Sequence, residues 1–353
     1  MSLTSTTSPD YNHYHKLLDN VGVLLSSARE QAAYAVNTLL VQTYWQVGRH
    51  IVEFEQHGNE KAEYGSGLLD KLAKDLTTQH GKGFSRSNVF LIRQFYLKFA
   101  KIQTLSGFLS WSHYIEILKS NNDLELNFYA KQCELERWSV RELKRQMQSS
   151  LFERIALSKD KDSVLRLSKE GFVPQSADDL IKDPFVLEFL NIPESTHYLE
   201  SDLETQIIEN LQSFIMEMGK GFAFIGRQYR MSIGGRHFYV DLLFYHRILK
   251  CFVLVDLKRG EIDHQDIGQM NLYLNYFKKE EASEGDNEPV GIILGAKKNH
   301  ILVEYATASI TNTVLLAKYS LYLPDKAVLS RQLELLLEKQ EEAINKGGNN
   351  ESV

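Results

Sequence analysis

Apolar residues recur along the first half of the chain at the spacing of a helix. Val21, Leu24, Leu25, Ala28, Ala32 and Ala35 follow the 3.6-residue period, and Leu39, Leu40, Tyr44 and Val47 continue it. A helix is predicted over Tyr14–Phe54, broken at Gln56–Asn59. Leu68, Leu69, Leu72 and Leu76 share one face of a second helix, Gly67–Gln79, which Gly81-Lys82-Gly83 ends. Ser85 is positioned to cap a third, Arg86–Ala100. Further helices are predicted at His113–Lys119, Asp123–Cys133 and Ser139–Phe152. No strand pattern occurs before residue 200. Residues 155–200 carry Pro174, Pro184 and Pro193 and read as a connector, with short helices at Ala177–Lys182 and Phe185–Leu190.

The texture then changes. After an amphipathic helix, Asp202–Met218, three aromatic and β-branched runs predict strands at Phe222–Ile233, Arg236–Tyr245 and Cys251–Lys258. Gly234-Gly235 supplies a two-residue hairpin turn between the first two. A helix at Gln265–Phe277 and strands at Val290–Leu294 and Val314–Ser320 follow. Ser330–Lys346 is a leucine-faced helix, expected to pack on its own domain or to serve dimerisation. The fold class is α+β: an all-α N-terminal region, then a domain of order α-β-β-β-α-β. The expected division is a disordered tail at 1–13, the all-α domain at 14–155, the connector at 156–198, the sheet domain at 199–328, and a terminal helix and tail at 329–353.

Composition narrows the class. The chain has 353 residues, 43% hydrophobic and 24% charged, which suits two globular domains and excludes wholesale disorder. No apolar run is long enough to span a membrane, and no secretory signal precedes the first helix. Two cysteines, Cys133 and Cys251, cannot build a disulfide framework and point to a reducing, cytoplasmic setting. No phosphate-binding G-x(4)-G-K-[ST] loop occurs. The net charge of −6 gives no global attraction to nucleic acid, so any such site is local.

One local excess stands out. From Asp70 to Lys101 lie Lys71, Lys74, Lys82, Arg86, Arg93, Lys98 and Lys101 against only Asp70 and Asp75. Helix, glycine turn and a helix opening SRSNV have the form of a helix-turn-helix. Lys71, Lys82, Arg86, Asn88 and Arg93 are the candidate DNA contacts. The bland alternative is a solvated helical face. A second basic run holds Arg141, Lys144 and Arg145. Trp45, Trp111 and Trp138 read as core anchors, and His113 as a satisfied buried or capping histidine.

The residues that carry chemistry are Asp241, Asp256 and Lys258. Asp256 and Lys258 are two apart on an otherwise apolar strand, so both face one side and Leu257 the other. Asp241 sits in the apolar run FYVDLLFY. A lone buried carboxylate is costly, and the 15-residue spacing suits a hairpin that brings the two carboxylates together. A divalent cation removes their repulsion, and hard oxygen ligands suit Mg2+ or Mn2+. A lysine beside such an ion suits phosphodiester hydrolysis. Glu204, on the helix before the sheet, could complete the metal shell, with Glu209 competing for the role. Gln269 shares a helix face with Gln265 and Tyr273. A structural ion pair without metal is the competing reading.

The pattern D-x(14)-D-x-K in an α-β-β-β-α-β frame resembles the PD-(D/E)xK nuclease superfamily. A closer resemblance is to the YhcG-like family of bacterial nuclease-like proteins. It is carried by DLETQIIENLQSFIMEMGKGFAFIGRQYR, FYVDLLFYHR, LVDLK and IGQMNLYL, and in the first half by YWQVGRHI, AEYGSGLLDKLAKDL, GKGFSRSNV and LSWSHY. The resemblance spans about residues 15–325. It implies a restriction-endonuclease-like domain with Asp241 and Asp256 as metal ligands, Lys258 catalytic, and Glu204 and Gln269 accessory. It also implies Mg2+-dependent hydrolysis of DNA leaving a 5′-phosphate, and a helical domain that binds DNA. Val240 stands where the superfamily has proline, and Asp256 where it commonly has glutamate. RNA is an alternative substrate. A homodimer is expected if both strands are cut. The rival function is a non-cutting DNA-binding adaptor of a restriction or mobile-element system.

Overall fold

The computed structural model describes residues 9–57, 67–100, 107–157, 159–182, 184–192, 198–298 and 311–348. The chain divides into two compact units, Met1–Lys144 and Arg145–Val353.

The first unit is helical. Its opening helix α1, Pro9–His57, begins ahead of the expected start at residue 14. Then come α2 (Leu68–His80), α3 (Arg86–Phe99), α4 (Trp111–Ile117) and α5 (Asp123–Glu136). The C-terminal part of α1 packs on α3 through Val41, Tyr44, Ile51 and Val52, all buried. Gly48 permits the close crossing, because a Cβ there would lie 2.4 Å from the Ile92 carbonyl oxygen. Tyr44, Phe95, Phe99, Trp111 and Tyr114 form an aromatic core edge to face. Between residues 13 and 40 the apolar side of α1 is exposed.

The predicted helix Ser139–Phe152 is two helices, α6 (Val140–Gln148) and α7 (Leu151–Ala156). Ser150 adopts φ 53° between them, and the guanidinium of Arg154 takes the Ser149 carbonyl at 2.8 Å. That local side-chain bond takes the place of helix continuation. The connector holds a helix the periodicity did not reveal, α8 (Lys161–Glu170), which buries only Val164, Leu167 and Ser168 and is capped by Asp160. Phe185–Leu190 is not a helix. Phe185–Val186 is a short strand, β1, parallel to β6 (Thr313–Ser320), and one 3-10 turn follows. Both β1 side chains are fully buried, and the Val186 N–H donates to Glu217, so tertiary pairing decides the backbone.

The predicted helix before the sheet is likewise two, α9 (Glu200–Glu209) and α10 (Leu211–Met218), parted at Asn210. Strands β2 (Phe222–Ile233), β3 (Arg236–His246) and β4 (Cys251–Ile262) follow, then α11 (His264–Tyr276), β5 (Val290–Lys298), β6 and α12 (Lys326–Gly348). Gly234 and Gly235 turn the β2–β3 hairpin with φ 56° and 78°, the left-handed pair this turn requires. The sheet order is β1-β6-β5-β4-β3-β2. It is parallel from β1 to β4 and antiparallel from β4 to β2. One face packs on α9 and α10 through Leu203, Ile207 and Phe214 against Leu242, Val253, Val255 and Leu257. The other packs on α11 through Ile267, Met270 and Leu274 against Val240, Leu254 and Ile293. This is the mixed, helix-flanked sheet of a restriction-endonuclease-like α+β fold.

Candidate active site

The site grows out of the ladder between β3 and β4. The last ladder pair is Leu242 with Val255. One step further, Asp241 and Asp256 stand across from each other, and there the two strands part. Regular pairing would leave two carboxylates side by side. Instead one Asp241 oxygen accepts the Leu257 N–H at 2.8 Å, in place of a backbone acceptor. Asp256 and Lys258 face the α11 side of β4, while Val255 and Leu257 fill the opposite core. The Lys258 Nζ lies 2.9 Å from Asp256 Oδ2 and 3.6 Å from Asp266, a residue of the capping box that starts α11.

The electrostatics of this cluster are unbalanced. Asp256 is 3% exposed. Burial first, then the neighbouring Asp241 carboxylate, push its pKa up to about 7, against the pull of Lys258. Burial works against the Lys258 charge, but Asp256, Asp266 and Glu200 together outweigh it and hold the ammonium above its ordinary value. Glu204 is also raised, by burial and by Asp241, with a hydrogen bond from Gln228 opposing.

Gln228 was not legible beforehand. Its amide nitrogen donates to Glu204 at 2.7 Å and to Asp241 at 3.0 Å, tying α9 to β3. Its backbone is left-handed, with φ 47°, rare for a non-glycine residue. Just upstream the β2–β3 register shifts between Phe224 and Gly226. Bulges of this kind re-aim side chains beside functional sites. The only sequence hint was Gly226 inside a strand pattern.

Glu204 is buried toward this cluster, whereas Glu209 is exposed. Gln269 is exposed on α11 and donates to the Tyr273 hydroxyl. Tyr273 is buried. Its pKa is raised by burial and by Asp256 and Asp241, and lowered by Gln269 and Lys258. Tyr273, not Gln269 directly, borders the carboxylates.

Among the described residues no three His, Cys, Asp or Glu side chains form a ready metal cage. The donor set still fits a hard divalent ion. Two adjoining carboxylates, one with its pKa raised by burial and then by the other, offer the one or two acidic ligands that Mg2+ takes beside its waters.

The basic segment is mixed. Arg86 lies 2.5 Å from Asp70, and Lys82 is exposed at the turn between α2 and α3. Asn88 donates to the Gly83 carbonyl and accepts from the Trp111 indole at 2.8 Å. Arg93 donates twice to Glu55, at 2.9 and 2.7 Å. Those two side chains are engaged in holding the helices together. Lys71 lies on the exposed face of α2 and has interactions of its own. His113 is buried, bonded to Trp138 and Ser110, and serves as a capping histidine. Both cysteines are free and buried.

Comparison with known proteins now bears on this geometry. Residues 178–335 match the YhcG PDDEXK nuclease domain, and residues 20–154 match the DUF1016 N-terminal domain. YhcG of Escherichia coli (strain K12) is 39% identical over 367 residues, covering 94% of this chain and 96% of its own length. The chain belongs to the YhcG family. The matched nuclease domain contains Glu204, Gln228, Asp241, Asp256, Lys258 and Gln269. A repair endonuclease from Pyrococcus abyssi overlaps 37% of this chain and 50% of its own, at 20% identity and TM-score 0.27. An EndoMS–dsDNA complex overlaps 38% and 50%, at 17% identity and TM-score 0.26. The chain spans half the length of each, and these likenesses carry no further weight. No described helix is long and apolar enough to cross a membrane.

Proposed function

We propose that this YhcG-family protein is a divalent-metal-dependent endonuclease that hydrolyses DNA phosphodiester bonds. The observation that carries the reading is the parting of β3 and β4 at two facing carboxylates, with Lys258 on the same side of β4. Asp241 and Asp256 would hold Mg2+ or Mn2+. When bound, that ion polarises water and offsets phosphate charge.

The chain's own groups do the rest. Lys258, steadied between Asp256 and Asp266, keeps its ammonium charged, so it can orient the attacking water and offset charge on the phosphate in the transition state. Gln228 holds the Asp241 and Glu204 carboxylates in fixed orientation. Tyr273 offers a neutral hydroxyl at the border of the cluster, and the Gln269 amide donates to it. The N-terminal helical region would bind DNA, with Lys82 and Arg86 at the α2–α3 turn as first contacts and Lys71 beside them. Phosphate contacts of this kind weaken with salt.

One panel tests this. Purified protein is incubated with Mg2+ or Mn2+ and with duplex, single-stranded and branched DNA and RNA. Cutting of DNA that Lys258→Ala and Asp241→Asn strongly reduce supports the reading. Cutting confined to RNA replaces the substrate. DNA binding with no cutting on any substrate supports the adaptor instead.

A further inference from the structure

The exposed part of α1 has a regularity that the nuclease reading does not use. Tyr14, Leu18, Val21, Leu25, Ala28, Ala32, Ala35 and Leu39 follow one another at alternating steps of four and three, the seam of a coiled coil. All eight are exposed, the five larger ones by between 42% and 64%. The residues that seat α1 in its own unit lie elsewhere on the helix. Val41 is two positions past Leu39, which is about 200° around the axis, and Tyr44, Ile51 and Val52 share its side. The seam therefore faces away from the packing against α3.

The sequence of the seam says what fits it. Its first half is large (Tyr14, Leu18, Val21, Leu25), and its second half opens with three alanines. Run antiparallel about its midpoint at Ser26 and Ser27, the helix meets itself with Leu25 over Ala28, Val21 over Ala32, Leu18 over Ala35 and Tyr14 over Leu39. Three of the four layers then join a large residue to a small one, the interdigitation that close packing requires. In the same register Lys16, Asp19 and Glu30 point away from the seam and Arg29 flanks it level with Leu24, so no like charges oppose. A parallel pairing would set Leu on Leu and Ala on Ala, leaving voids, and would stack each charge on its own copy. The seam is about 39 Å long, and burying it covers roughly 800 Å2 per chain, the amount of a stable interface.

We propose that residues 14–39 of α1 join two copies of this chain as an antiparallel helical pair. This stands independently of the nuclease reading. The full-length protein should sediment at twice the chain mass. Leu18→Glu and Leu25→Glu should each shift it to the monomer with helical content retained, whereas Val23→Glu, exposed but off the seam, should leave the dimer intact. A short bismaleimide should link Ala28→Cys chains to each other, since position 28 lies beside the two-fold axis, and should not link Leu18→Cys chains. The native cysteines are buried and do not interfere. Linkage at both positions would overturn the antiparallel register. A wild-type monomer across the micromolar range, or a dimer untouched by both glutamates, would overturn the interface.

Discussion

Two buried charge clusters among the described residues of the sheet unit are built to opposite ends. In one, Glu217 and Arg154 are both fully buried at 2.6 Å. Glu217 also accepts from Arg145 and the Val186 N–H, and Lys182 donates to its backbone carbonyl. Burial alone would raise the Glu217 pKa, but Arg154, Lys182 and Arg145 outweigh it and hold the carboxyl below its usual range. In the other, Asp241, Asp256 and Glu204 crowd round a neutral amide and a lysine that Asp266 shares, with Arg227 the weakest influence on Glu204. There the balance tips the other way and Asp256 rises to about 7. The first cluster is complete and pins β1 and the connector to α10. The second lacks positive charge, as a place awaiting a cation would. Burial of charge by itself does not distinguish architecture from chemistry. The sign of what is missing does.

The comparison breaks most easily at Arg154. Arg154→Ala leaves Glu217 buried with fewer partners and should cost about 3–5 kcal/mol, read by urea unfolding. Asp256→Asn should instead raise stability in metal-free buffer. If both variants lose stability alike, the two clusters are equivalent and the distinction fails. Next in size, Lys258→Ala should reduce cleavage about 10²–10³-fold with little change in melting temperature, measured on duplex DNA under single-turnover conditions. A variant that cuts like wild type would move the catalytic ammonium elsewhere.

Gln228 sharpens the contrast at a smaller scale. Gln228→Ala should slow cleavage by about tenfold, on the order of 1.4 kcal/mol, and weaken the response to Mg2+. Gln228→Gly loses the same amide but tolerates the left-handed backbone. It should therefore be as slow yet more stable than the alanine variant. Equal stability of the two would show that the backbone there carries no strain.

The smallest effect is the pH response of the metal-free protein. Asp256 holds its proton more tightly folded than unfolded, so its contribution is full below the unfolded pKa near 4 and is lost as pH rises through about 7. Between about pH 6 and 8 stability should fall by roughly 1 kcal/mol, and Asp256→Asn should flatten the profile. Added Mg2+ should raise the melting temperature more at the upper end. A wild-type profile as flat as the variant's would place Asp256 outside the coupled pair.

Much of this was legible in advance because strands β2 to β4 alternate faces and hairpin registers are arithmetic. The spacing of Asp241, Asp256 and Lys258 about the turn between β3 and β4 suffices to bring the trio together. What escaped was decided by side-chain partners that periodicity does not record. The break at Ser149–Ser150 depends on Arg154 five residues on, and strand β1 depends on the distant Glu217 and β6. Gln228 escaped because its role needs a register shift and a left-handed backbone, neither of which periodicity records. The N-terminal stripe was read as a helix face, but apolar spacing cannot say what, if anything, covers that face.

The alternation of β4 has a further consequence. Asp256 and Lys258 share one side of that strand only while Val255 and Leu257 fill the other. Deleting one residue from the turn Arg247–Lys250 would slide the strand by a single place and turn every side chain over. Both charges would then enter the oily layer beneath α9 and α10, and Leu257 and Arg259 would take their places at the cleft. Point substitutions can weaken such an enzyme by degrees. A one-codon length change in that turn has no intermediate setting, so drift in this lineage should tolerate exchanges there far more readily than gaps.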